Sequence, residues 1–210
     1  MKKGVFITLE GNEGCGKSTQ IQRLARYLKK KGRRVFVTRE PGGTRLGEAI
    51  RAVLLNPVHE RMSARCETLL YMASRAALTE EVVLPNLKKG IVICDRWLDS
   101  TVAYQGYARG LDVKWIRALG REATQGLVPD LTLYLDLPVA VGLKRTAKKH
   151  ALDRIERKGR AYHERVRQGF LRVARLEPRR FKRLALSPGE TIEAVHVRIR
   201  KEVDRVLRRY

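Results

Sequence analysis

Acidic residues are in short supply: 22 Asp and Glu stand against 45 Lys and Arg in 210 residues, a formal charge of +23. Residues 141–210 hold 22 of those basic residues and only 8 of the acidic ones. Such a balance suits nucleic acid, an anionic surface or small polyphosphate substrates, or else is a solvated basic surface without a dedicated partner. Neither an aromatic-interleaved basic patch nor zinc-finger spacing is found, so nucleic acid is not expected as a partner. Cysteine is sparse, with Cys15, Cys66 and Cys94 far apart, odd in number and without C-x-x-C spacing. That excludes a disulfide framework or a zinc site and predicts a reducing, cytoplasmic setting. No apolar run approaches the roughly 20 residues of a membrane span. The start, Met1-Lys2-Lys3-Gly4, lacks the apolar core of a secretory signal. With no repeat and no low-complexity linker, a single domain spanning 1–210 is predicted.

What is present is organised around Gly11-Asn12-Glu13-Gly14-Cys15-Gly16-Lys17-Ser18, followed by Thr19. An apolar run, Val5 to Leu9, precedes it, and helical spacing (Ile21, Leu24, Ala25, Leu28) follows it. Strand, glycine-rich turn and helix form the context in which G-x-x-x-x-G-K-[ST] cradles phosphate. Glycines let backbone N–H groups converge on phosphate oxygens, and the helix adds its positive end. Lys17 then reaches the outer phosphates, and the Ser18 hydroxyl is placed to ligate Mg²⁺.

Further apolar runs at 35–38, 91–94, 131–135 and 181–186 alternate with helical patterns near 46–54, 63–88, 112–125, 139–149, 161–176 and 192–207. The alternation predicts an α/β fold, a five-stranded parallel sheet with helices on both faces. Charged residues sit at strand ends, where such folds bind ligands. Arg39-Glu40 precedes Pro41-Gly42-Gly43, and Asp95-Arg96-Trp97 follows the third strand. Asp95 and Arg96 suit metal and phosphate, or form a local ion pair in which Lys17 holds Asp95. Tyr71 and Arg75 share a helix face four residues apart, as surface decoration or as ligand groups. Ser100, Thr101 and Gln105 could hydrogen-bond a base, or simply open a helix. The charge-dense run 148–160 is a solvated segment or a lid over a nucleotide.

Taken together, these stretches resemble the thymidylate kinase family. The resemblance rests on Gly11 to Thr19, Thr38-Arg39-Glu40-Pro41-Gly42-Gly43-Thr44, Asp95-Arg96-Trp97, Ser100 to Gly106 with Arg109-Gly110, and Leu152-Asp153-Arg154-Ile155-Glu156. It implies a P-loop kinase that makes dTDP from dTMP and MgATP in dTTP synthesis, a cytoplasmic homodimer with a lid at about 145–160. Gly11 to Thr19 would bind ATP, with Lys17 on the moving phosphoryl and Ser18 and Asp95 on Mg²⁺. Glu13 would face the acceptor sugar, while Arg39, Glu40 and Arg51 would border the dTMP phosphate and sugar. Arg96 would grip that phosphate. Tyr71 stands where a Phe usually stacks on thymine, Arg75 matches the base-bonding arginine, Thr101 and Gln105 would complete base recognition, and Ser100 would belong to the same dTMP site. Tyr104 would press where a 2′-hydroxyl sits.

Because no arginine lies inside the phosphate loop, the resemblance assigns catalytic cations to the lid: Arg145, Lys148, Lys149 and Arg154. Family lids usually hold arginine where this chain has Ala147 to His150, and lysine lacks the bidentate fork. The last strand ends Leu184-Ala185-Leu186-Ser187 rather than in Asp-Ala or Asp-Gly. Cys15, at a helix start, is in a setting that can raise thiolate character. Rival readings are a nucleoside-monophosphate kinase of other base preference, a nucleic-acid-binding P-loop NTPase, and a silent nucleotide binder.

Overall fold

A computed structural model describes residues 4–147 and 152–210. The five apolar runs become β1 (Phe6–Glu10), β2 (Val35–Arg39), β3 (Ile91–Asp95), β4 (Leu131–Asp136) and β5 (Phe181–Ala185). They form one parallel sheet in the order β2-β3-β1-β4-β5. Parallel neighbours need crossovers. These are supplied by α1 (Lys17–Lys30), α2 (Arg45–Leu55), α3 (Ala64–Leu78), α4 (Leu84–Leu87), α5 (Leu98–Thr101), α6 (Val113–Ala123), α7 (Val139–Ala147), α8 (Arg160–Leu176) and α9 (Ile192–Leu207).

Both sheet faces are covered, so the central strands read as continuous apolar runs. Alternate side chains diverge to opposite faces. Ile7, Leu9, Ile93 and Leu133 pack with Ile21 and Leu24 of α1 and Val195 and Ile199 of α9. Phe6, Val92 and Cys94 pack with Leu78 and Trp97, while Tyr134 and Phe181 meet Val166 and Phe170 of α8. Registers Leu9↔Asp95, Arg39↔Asp95 and Glu10↔Tyr134 bring the carboxyl ends of β1 to β4 level. Such an edge is where open α/β sheets bind ligands.

Two helical expectations change. The pattern over 63–88 is not one helix: α3 gives way to a π-helical turn, Thr79–Val83, before α4. Pro85 explains the break, because it has no N–H for the regular ladder and crowds the preceding turn. Val102–Tyr107 is likewise π-helical rather than a plain helix opening.

Candidate active site

The loop after β1 turns through positive-φ glycines, Gly14 at 69° and Gly16 at 92°. A Cβ on Gly14 would collide with the backbone of Gly142 in α7, whereas one on Gly16 would meet nothing within 4 Å. Gly16 also caps α1 without a side-chain hydrogen bond. The first N–H groups of α1 are therefore left for an anion. Lys17 is buried, its ammonium donating to the Gly11 carbonyl at 3.1 Å.

This loop floors a cleft with about 820 Å³ of empty space, lined by Glu13 to Thr19, Arg39, Asp95, Arg96, Thr146 and Glu156 among others. Gly11 and Asn12 lie behind that surface; the Asn12 amide instead donates to the His163 carbonyl at 2.9 Å, tying the loop to α8. The alternative in which Lys17 holds Asp95 is not what forms, since the ammonium sits on Gly11. Asp95 Oδ1 is buried without a hydrogen-bond partner beside the exposed Ser18. One free carboxylate and a hydroxyl, with phosphate oxygens and water, suit the hard octahedral preference of Mg²⁺. Among the described residues no group of three or more His, Cys, Asp or Glu offers a dedicated metal cage. Cys15 departs from expectation: burial pushes its thiol up despite the nearby Lys17 cation, and only 5 % of the residue is exposed.

A second, more enclosed pocket of about 580 Å³ opens beside the first. Ten of the expected acceptor residues line it: Glu13, Glu40, Arg51, Tyr71, Arg75, Arg96, Ser100, Thr101, Tyr104 and Gln105. Arg39 is the exception. It reaches the phosphate-loop cleft, where its guanidinium spans both oxygens of Glu48 at 3.0 and 2.9 Å.

Several of the pocket's polar groups are already paired, while Arg75 Nε and Trp97 Nε1 are buried without a hydrogen-bond partner. Arg75, 1 % exposed, contacts Glu40 at 2.6 Å and donates to Thr101 Oγ1 at 2.8 Å. Burial raises the Glu40 carboxyl, and Arg75 opposes that rise. Arg51 donates to the Pro41 carbonyl at 2.9 Å. Arg96 meets Glu13 Oε1 at 2.6 Å, and the Tyr104 hydroxyl donates to the same oxygen at 3.1 Å. Burial would raise Glu13, but the Arg96 and Lys17 cations win and hold it below the usual carboxylate range. Glu13, Glu40, Arg51 and Arg96 line both spaces, so the two clefts share a wall.

Sequence reasoning passed over two buried carboxylates. Glu67 of α3, fully buried, accepts from Gln105 Nε2 at 2.6 Å and Arg109 Nη1 at 2.9 Å and pairs with Arg154 at 2.6 Å. It lies four residues before Tyr71 on the pocket-facing side of the helix, a spacing that could have found it. Glu10, at the tip of β1, accepts from Trp97 N and Ser100 Oγ. A carboxylate ending an apolar strand is the same signal that singled out Asp95.

The lid cations are placed differently from expectation. Arg154 is buried, 2 % exposed, donating to the Leu54 carbonyl at 2.7 Å while paired with Glu67. It is an anchor rather than a cation over the phosphates, because an uncompensated Glu67 would be costly at that depth. Arg145 is exposed and donates to the Pro188 carbonyl at 3.0 Å. Lys148 and Lys149 lie outside the described residues. After them, Asp153 Oδ1 caps a turn through the N–H groups of Ile155 and Glu156. Asp153 and Ile155 face the acceptor pocket and Glu156 the phosphate-loop cleft.

Comparison with known proteins agrees with this geometry. A family model described as thymidylate kinase matches residues 9–199. A thymidylate kinase of Deinococcus radiodurans is 50% identical over 196 residues, 92% of this chain and 95% of that protein. One of Carboxydothermus hydrogenoformans is 51% identical over 174 residues, 82% of this chain and 85% of its own. The crystal structure of thymidylate kinase from Ehrlichia chaffeensis superposes with a TM-score of 0.77 at 33% identity, covering 96% of this chain and 98% of that one. A phosphate loop walled onto a pocket of paired arginines, matched over nearly its whole length by these relatives, makes the chain a member of the thymidylate kinase family.

Proposed function

We propose that the chain phosphorylates dTMP to dTDP with ATP, the phosphoryl passing in line across the wall shared by the two clefts. The observation that carries this is that common wall, Glu13, Glu40, Arg51 and Arg96. A triphosphate on the loop amides and a monophosphate on Arg96 would meet there, and positioning with charge neutralisation then supplies most of the catalysis.

Each residue has a part. Backbone N–H groups of Gly14 to Ser18 take the ATP phosphates, and Lys17 leaves the Gly11 carbonyl to follow the γ-phosphoryl. Arg96, with Arg51 beside it, holds the acceptor phosphate and screens repulsion between the two anions. Glu13 faces the acceptor sugar, and Tyr104 closes off the 2′ position. Tyr71 covers the base, whose edge meets Arg75, Thr101 and Gln105. Ser18 and Asp95 would hold Mg²⁺, which would supply positive charge to offset that of the phosphates. Arg145 and Lys149 remain the lid cations, and the segment 145–160 closes as a lid on the single domain 1–210. The family resemblance extends the reading to a cytoplasmic homodimer. Among the described residues no helix is long and apolar enough to cross a membrane.

A coupled ADP-release assay with dTMP, dUMP, dCMP, AMP and GMP tests the reading. dTMP is expected to turn over best; a better acceptor among the others overturns the assignment. Light scattering at assay concentration tests the dimer, which a monomer mass would rule out.

A further inference from the structure

Glu10 has no part in the steps above, yet it is fully buried and within electrostatic reach of Arg96. One carboxylate oxygen accepts the backbone N–H of Trp97 at 2.8 Å and the other the Ser100 hydroxyl at 2.6 Å. Arg96, immediately before Trp97, has φ of 71°, a left-handed conformation that a long side chain adopts only where its surroundings over-determine it. The surroundings are explicit. Arg96 N–H donates to the Leu9 carbonyl at 3.0 Å, and the next N–H is the one taken by Glu10. The Trp97 ring is buried edge-on against Phe6, centroids 5.0 Å apart, so the turn cannot swing away. Further along, the same Ser100 oxygen that Glu10 fixes accepts from Arg96 Nη1 at 3.2 Å.

We infer that Glu10 is a positioning residue for the acceptor phosphate: it holds the Arg96 turn through the Trp97 amide and aims the guanidinium through the Ser100 hydroxyl. The inference rests on the assignment of Arg96 to that phosphate. A carboxylate is the group the task requires, since it offers an acceptor to each of two donors at once. An amide of the same shape keeps one acceptor and turns a donor toward the other partner. The Glu10 charge also lies close enough to favour the Arg96 cation.

Thymidine, which has the base and sugar of dTMP but no phosphate, separates aim from architecture. Calorimetric Kd values for dTMP and thymidine are compared at pH 9, above the value of about 8 to which burial pushes Glu10 so that its carboxylate is ionised, in the parent, Glu10→Gln, Ser100→Ala and Arg96→Ala. Glu10→Gln is expected to weaken dTMP about tenfold, as for loss of a hydrogen bond to a charged group, with thymidine held within about twofold. Ser100→Ala, which cuts only the side-chain tether, is expected to shift the same ratio in the same direction by less and serves if Glu10→Gln does not fold. Equal losses for both ligands, or no loss for either, overturn the inference. If Arg96→Ala leaves the dTMP-to-thymidine ratio unchanged, the Arg96 assignment falls, and this inference with it. A selective loss in Arg96→Ala without one in Glu10→Gln and Ser100→Ala overturns the inference alone.

Discussion

The two clefts share a wall but are made of different material. The phosphate-loop cleft is floored by backbone, with glycines where side chains would intrude, and a single buried ammonium resting on a carbonyl. The acceptor pocket is made of side chains, several locked in buried pairs such as Arg75–Glu40 and Arg154–Glu67. Backbone amides read what any triphosphate presents, whereas prearranged side chains can read one base and one sugar. On the proposed assignment, generality and selectivity come from different chemistry on either side of Arg96.

That contrast can be broken from either side, beginning with the largest effect. Lys17→Ala is expected to lower kcat about 10³-fold, the scale of losing one preorganised charge donor, while thymidine binding stays as it was. Steady-state kinetics with calorimetry checks both halves. Glu67→Ala should act in the opposite way, through architecture. It leaves Arg154 and Arg109 facing an empty buried site and costs about 3 kcal/mol of stability, read as a lower thermal midpoint.

Glu10 sharpens the comparison through pH. Burial pushes its carboxyl up to about 8 against the Arg96 cation, so the folded chain binds that proton more tightly than the unfolded chain. Its contribution is fully present below about 4.5 and is lost as pH rises through about 8. Relative to Glu10→Gln, the parent should lose on the order of 4 kcal/mol between pH 5 and 8.5, with urea denaturation at each pH as the measurement. Arg39→Ala is the smallest change, less than about 1 kcal/mol in the same denaturation assay, because the Arg39–Glu48 pair is 55%/44% exposed.

Much of this was legible in the residues. The phosphate loop has fixed spacing because glycine and lysine positions answer to phosphate geometry, and Arg96 follows an unbroken apolar strand. The strands were readable because both sheet faces are buried. Less was readable where partners are distant in sequence. Arg154 reads as a mobile cation within a basic run, and only the fold brings Glu67 to it from 87 positions earlier. Arg39 reads as a phosphate ligand until Glu48, on the next helix, takes its guanidinium. The break at Thr79 needed a judgement about Pro85 that helical periodicity alone conceals.

The contact between Gly14 and Gly142 has a mechanical consequence. Each lacks the room for a single carbon: a methyl on Gly14 would strike the Gly142 carbonyl, and one on Gly142 would strike the carbonyl of Glu13. With no side chain as a cushion, α7 bears on the loop main chain to main chain, like a lever on its fulcrum. A tilt of α7 (Val139–Ala147) about this contact would carry the loop's peptide groups with it. Rigidity at one pair of glycines thereby ties the pitch of α7 to the shape of the loop after β1.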